Sequence, residues 1–521
     1  MNFPFPSRRR IVLAFLAIGV VELVSFGICV RELGFYHDDW VWLEILRLHP
    51  GYWAGWRAML EAGWGVRPVA ALPFPAIFAC AGSNPLPYHA LLLLVNVAAG
   101  FLCYLWLARL TGSHGLALLA SCLWISYPVH PATHYWFTNI HQPAAQAMCF
   151  GSFLLHLSWL RTRQRRWAVA ASLLYLAAFL CYEAVAFLPL AAWFGLLARL
   201  WASGKPLPSA ALQSGRFLLP YAPAFAAGFA WQWVGVSLFY PSNPKHMAFS
   251  LKWPLVVYAS GLESITLSAA RLIRNTLFEL LETFDDAKLL LLGLFTAVVT
   301  GLLRLRERED KRGAAAPLIA LAVAGGNYLA AYAPFALSGE YEPQVVGVMS
   351  RTNYSGALSG ALLLAAGLAT LSRHEPALLA KAGIRRVIPL HAIVLASILA
   401  AFTWTNWFVA LRWAGAWRQQ RDILERIVPK APLLPRNASL ILLNAPTHHY
   451  GTEVFYEDWG FAAALTLKTG RRDLSGIVFT RWMRPEAQGV VERRGGRTRV
   501  LPYDGLYQYD AATDRLTKVV R

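Results

Sequence analysis

The chain has 521 residues, 57% of them hydrophobic and 15% charged, with a mean hydropathy of +0.42. That balance excludes a soluble globule with an ordinary charged surface and points to a polytopic membrane protein. Its 48 Lys and Arg against 29 Asp and Glu give a net charge of +19, which here reads as cytoplasmic loops and affinity for membrane lipids rather than for nucleic acid.

"MNFPFPSRRRIVLAFLAIGVVELVSFGICV" begins with Arg8, Arg9 and Arg10 and continues into an apolar run long enough to span a bilayer. No small-residue cleavage site follows, so the run reads as a retained first helix over about 10–30 with its arginines inside. An external stretch to about residue 66 holds "FYHDDW" (35–40) and then "VWLEILRLHPGYWAGWRAMLEAGWG", predicted as a Trp-rich helix lying in the interface. The chain re-enters at "RPVAALPFPAIF", and the next span ends at Arg109. "TGSHG" then turns it outward through "LALLASCLWISYPVHP", and "QPAAQAMCFGSFLLHLSWL" returns to the basic cluster "RTRQRR". "HPATHYWFTNIHQ" therefore falls outside.

Residues 167–200 are apolar apart from Glu183 and too long for one span. They read as a hairpin with "CYEAVAFLP" at its external apex. Further spans are predicted at about 216–239, 287–303, 316–337, 354–371 and 387–409, with "RLREREDKR" and "SRHEPALLAKAGIRR" inside. The total is roughly 11 spans. Between them, "RLIRNTLFELLETFDD" reads as an interfacial amphipathic helix. All six cysteines lie in or beside apolar segments, which argues against a disulfide framework.

From about Ala414 the composition changes to short strands ("SLILLN", "SGIVFTRW", "RTRVLPY") around a helical "DWGFAAALTLKTG". The fold class is thus an α-helical polytopic membrane protein with a small soluble C-terminal α/β domain. The membrane domain covers 1–412, with external loops 31–66 and 240–286, and the soluble domain covers 413–521 on the external side.

In order, the chain shows a first helix, an external acidic pair, "RPV", "NPLPYHALLLLVNVAAGFLCYLWLARL", "YPVHPATHYWFTNIHQ" and "CYEAVAFLP". Together these resemble the membrane half of the protein O-mannosyltransferase-like glycosyltransferases of the GT-C fold. "VMSRTNYSGALSG" resembles that family's later Arg-Tyr motif. The chain departs from the family pattern in "THYWFTNIHQ", which is not acidic, and in Tyr182, where a basic residue often precedes the glutamate. The resemblance implies a polyprenyl-phosphate sugar donor, an external acceptor that is a glycan, lipid or protein, and a catalytic first acidic residue. It also implies a bacterial inner membrane with the site on the periplasmic side.

The chemistry asks for little more. An acceptor hydroxyl needs a carboxylate to take its proton, and a phosphate leaving group needs positive charge. Asp38 and Asp39 are the catalytic candidates, Asp38 as base and Asp39 to orient it or bind a cation. A divalent ion, Mg or Mn, stays open. Arg351, Arg67, Lys245 and His246 are candidates for the donor phosphate. His37, His130, His141, Glu183 and Tyr354 are candidates for the substrate site, and His134 joins the histidines as a conceivable metal ligand. A lipid-linked glycan transporter or flippase, a polysaccharide ligase or polymerase and a non-catalytic scaffold are the alternatives. The absence of a clear internal repeat and the early "HDDW" weigh against the first two.

Overall fold

The computed structural model describes residues 3, 5–239, 252–283, 292–293, 296, 315–339, 341–381, 389–494 and 497–520. Among the described residues six helical segments are long and apolar enough to cross a membrane: Arg8–Gly27, Pro85–Thr111, Glu183–Ala202, Ala316–Ser338, Val348–Glu375 and Leu390–Leu433. The chain is an integral membrane protein. The helices His114–Ser126, His141–Thr162, Arg165–Cys181 and Tyr221–Phe239 complete the described bundle. The predicted span at 287–303 lies outside the described residues save for three positions, and "RLREREDKR" lies wholly outside them.

Helix ends follow local chemistry. The Asn84 side chain accepts a hydrogen bond from the Leu86 N–H, and Pro85 occupies the first turn. At the other end of that helix Gly112 adopts the left-handed conformation, φ 73°. The Ser113 side chain then caps His114–Ser126 by accepting from the Leu116 N–H. "TGSHG" is therefore a tight reversal.

The Trp-rich stretch is not one helix. It breaks into Asp39–Leu48 and Tyr52–Met59, because Pro50 restricts His49 and Gly51 takes φ 101°. Trp42 and Trp64 are buried edge-to-face, 5.5 Å apart, so this hairpin turns part of its aromatic surface toward the protein instead of the interface.

The amphipathic segment also packs against protein. Lys252–Glu263 runs through a wide turn into Ala269–Thr283. Trp253 Nε1 donates to the Phe335 carbonyl, and Trp404 Nε1 donates to the Thr276 carbonyl.

One end of the bundle gathers basic turns. Arg199 donates to the carbonyls of Arg109 and Leu110, Phe5 lies under Arg109 at 4.0 Å, and Phe3 lies under Arg199 at 4.7 Å. The opposite end carries the segments 28–66, 127–141 and 341–353. The helix Leu390–Ile427 runs without a break past residue 412 and delivers the chain to the C-terminal strands.

Those strands are β1 Ser439–Leu443, β2 His448–His449, β3 Thr452–Glu453, β4 Ser475–Val478, β5 Met483–Glu486, β6 Gly489–Arg494, β7 Arg497–Leu501, β8 Leu506–Asp510 and β9 Arg515–Lys518. The main sheet has the order β4-β1-β8-β9, with β4 and β8 both parallel to β1. The crossover helix Asp458–Thr469 joins β1 and its hairpin to β4. β5, β6 and β7 form a separate antiparallel meander, and β2 pairs with β3 as a hairpin.

Candidate active site

Past Gly27 the chain leaves its first span and reaches His37 in the left-handed region, φ 48°. That turn sends the two neighbouring carboxylates to different partners. Asp39, at the first position of Asp39–Leu48, is buried. Its Oδ1 accepts from the Thr138 N–H (2.7 Å) and hydroxyl (2.6 Å), and its Oδ2 accepts from the Tyr36 N–H (3.0 Å). Asp39 thus fastens the opening loop to "HPATHYWFTN".

Asp38 faces the C-terminal domain. Its side chain is 31% exposed, and Oδ1 lies 2.7 Å from His37 Nδ1. Trp459 Nε1, at the start of the crossover helix, donates to the same Oδ1 at 3.1 Å. Among the described residues Oδ2 has no hydrogen-bond donor, which leaves it open. His37 Nε2 lies 3.5 Å from Oε2 of Glu453, on β3. A Cβ added at Gly460 would stand 3.3 Å from the His37 carbonyl, so the crossover helix sits directly against this loop.

Arg351 completes the group from the turn Val348–Asn353. Its guanidinium lies 5.2 Å from the ring centres of both Trp136 and Tyr341. Among the described residues it makes no salt bridge. Gln142 Nε2 donates to the Arg351 carbonyl, and the Ala132 N–H donates to Ser350 Oγ, so this turn is stitched to the segment 131–142.

The charges are unevenly shared. Burial raises the Asp38 carboxyl, but the bond and charge of His37, then Arg351 and Trp459, outweigh it and hold Asp38 below the ordinary carboxylate range. At Asp39 burial wins over the hydrogen bonds from Thr138 and Tyr36 and lifts the carboxyl to about 7. Burial opposes the His37 imidazolium, yet Asp38 and then Glu453 overcome it and the repulsion of Arg351, raising His37 to about 9. Glu453 is pushed up, mainly by burial. One carboxylate is kept ionised beside two cations, and its sequence neighbour is a fastener.

A second pair borders the group. Arg67 Nε donates to Glu183 Oε2 at 2.8 Å, and its Nη2 donates to Oε1, while the guanidinium lies 4.7 Å above the Tyr182 ring. His141 packs on Tyr182 at 4.4 Å and on Trp64 at 5.5 Å, and its Nδ1 is 2.7 Å from the Thr138 carbonyl. Its Nε2 is buried without a hydrogen-bond partner among the described residues.

His130 and Tyr354 are not brought here. Both are fully buried and pack edge-to-face at 5.1 Å. His130 bonds Thr133 and the Trp124 carbonyl, and the Tyr354 hydroxyl donates to Asn96. His134 pairs instead with Glu22 at 2.9 Å. Lys245 and His246 lie outside the described residues. Among the described residues no group of three or more His, Cys, Asp and Glu side chains is arranged to hold a metal ion. A cation shared by Asp38 and Asp39 does not fit, because both Asp39 oxygens already accept hydrogen bonds and Asp38 turns away toward His37.

Glu453, Trp459, Trp136 and Tyr341 were not among the sequence candidates. A signal existed for Trp459: "FYEDW" (455–459) repeats the aromatic-acid pattern of "FYHDDW" (35–40).

No family profile and no curated protein matches the chain. Among solved structures, the chain is similar to an oligosaccharyltransferase from Archaeoglobus fulgidus, crystallised with a tethered acceptor peptide containing the NVT sequon. The identity is 13% and the TM-score 0.39, over 89% of this chain and 63% of that one. The chain therefore spans about 63% of the length of the structure it matches.

Proposed function

We propose that this protein is a GT-C-type glycosyltransferase of a bacterial inner membrane. It moves a sugar from a polyprenyl-phosphate donor to an acceptor hydroxyl or amine at the external face. The observation that carries the reading is the junction of Asp38 with Arg351: an ionised carboxylate with one open oxygen, within the field of a cation that has no salt-bridge partner among the described residues. It lies where membrane helices meet the C-terminal domain, a position suited to a donor whose tail stays in lipid and an acceptor that arrives from water.

In the proposed step Asp38 Oδ2 takes the acceptor proton as the acceptor oxygen bonds to the anomeric carbon. The bond from that carbon to the phosphate oxygen breaks, and its electron pair leaves on the phosphate, which Arg351 stabilises. Direct displacement inverts the anomeric centre. Arg67, tied to Glu183, shapes the wall next to Tyr182 and His141. The basic end of the bundle, with Arg109 and Arg199, supports an inside position for that end and an external one for the site.

The test is mass spectrometry of surface glycans and glycolipids in a deletion strain complemented with wild type or Asp38→Asn, with membrane accumulation checked. A sugar mass restored by wild type alone supports the reading and names the sugar. Full restoration by the variant removes Asp38 as base.

A further inference from the structure

We propose that Glu453 is a positioning residue for Asp38, supplied by the C-terminal domain. By facing His37 Nε2 it fixes the imidazole whose Nδ1 holds Oδ1 of Asp38, so that Oδ2 is presented to the acceptor proton. The inference rests on the transferase reading above and assigns the C-terminal domain a part in the chemistry.

Three observations carry it. The three groups form one chain across the domain junction, with His37 Nδ1 2.7 Å from Asp38 and His37 Nε2 3.5 Å from Glu453. Glu453 Oε2 is buried and has no hydrogen-bond partner among the described residues, and His37 is the group it faces across an ion-pair distance. His37 holds a left-handed backbone, a conformation that a non-glycine residue keeps only where its surroundings define it. His37 has a carboxylate oxygen within ion-pair distance of each ring nitrogen, Nδ1 outside hydrogen-bond geometry, so the two charges bias its orientation from both sides. The gap at Nε2 is of the kind that shortens when substrate closes a site.

The charges around His37 come from every neighbouring element. Asp38 and Asp39 lie on its own loop, Glu453 and Glu457 on the C-terminal domain, and Arg351 on the turn Val348–Asn353. Asp38 and Glu453 favour its cation, and Arg351 opposes it. Because Glu453 belongs to the β2–β3 hairpin, the base is fully assembled only when the C-terminal domain is seated on the membrane helices.

The experiment uses the full chain in proteoliposomes, as wild type, Glu453→Gln and Glu453→Asp. Transfer is followed against pH with polyprenyl-phosphate mannose and polyprenyl-phosphate glucose as probes and cell-envelope extract as acceptor. In parallel, carbethoxylation of His37 by diethyl pyrocarbonate is followed by mass spectrometry across the same pH range. A histidine raised by carboxylates keeps its proton up to about 9 and loses it as pH climbs through that value. Removing the Glu453 charge therefore moves the alkaline limb of transfer, and the onset of His37 modification, down by about 1 pH unit. Glu453→Asp recovers most of both.

Lowered transfer in Glu453→Gln with both pH responses unmoved makes Glu453 merely structural and overturns the proposal, while the transferase reading stands. A shifted His37 response alongside wild type that transfers neither sugar overturns the transferase reading and the positioning role with it, leaving only the contact.

Discussion

Two carboxylate–histidine pairs in this molecule have nearly the same length and opposite surroundings. Asp38 and His37 are 2.7 Å apart with side chains 31% and 17% exposed, whereas Glu22 and His134 are 2.9 Å apart and sealed at 1% and 0%. Phe26 stacks on His134 at 3.6 Å, and His130 stacks on the same imidazole at 5.2 Å. The remaining atoms of that pair, Glu22 Oε2 and His134 Nε2, meet no hydrogen-bond partner among the described residues. A short contact between an acid and an imidazole is thus common to a site and to a core. What differs is the third party: Asp38 and His37 have Trp459, Glu453, the Arg351 cation and an open oxygen, whereas among the described residues Glu22 and His134 are faced by rings.

The sharpest way to break this comparison is to truncate one acid of each pair. Asp38→Ala is expected to lower transfer about 100- to 10,000-fold with little change in thermal unfolding. Glu22→Ala is expected to do the reverse, costing about 3 kcal/mol of stability because it strands a buried partner, with the rate per folded molecule retained. Five of the six cysteines are buried, so a thiol-reactive fluorescent dye reports unfolding directly. A collapse of folding in Asp38→Ala with normal transfer in what remains would erase the distinction.

Asp39 provides an internal control one residue away. Asp39→Ala leaves the Thr138 and Tyr36 N–H groups without their acceptor and should cost about 2 kcal/mol. Its dye-reported melting should fall between those of wild type and Glu22→Ala. Transfer by the folded fraction should stay well above that of Asp38→Ala.

The difference between these two aspartates could not be read from "HDDW", because the partners that separate them are remote in sequence. Thr138 lies 99 residues from Asp39, and Trp459 lies 421 residues from Asp38. By contrast the helical runs, the reversal at "TGSHG" and the helix within "DWGFAAALTLKTG" are local facts of hydropathy, capping and glycine, and local chemistry announces them. The Trp-rich stretch shows the limit of composition: its aromatic content suggested one interfacial helix, yet Pro50 and Gly51 stand in its middle and divide it. The Arg67–Glu183 pair was visible as two isolated charges beside apolar runs, but their meeting across 116 residues depends on how the helices pack.

The smallest effect is the most informative about the sealed pair. Glu22→Gln keeps an oxygen that can meet His134 Nδ1 and an amide that can donate to it, while removing any negative charge. A pair held by a hydrogen bond loses only about 1 kcal/mol in this variant. A pair held by charge is left with a buried, uncompensated partner and loses about 3 to 5 kcal/mol. The surroundings argue for the first outcome, since the stacked rings of Phe26 and His130 supply no second counter-charge and the described structure shows no donor reaching Glu22 Oε2. A melting shift in Glu22→Gln as large as in Glu22→Ala would reverse that conclusion and make the buried pair, like Asp38 and His37, a device built on charge.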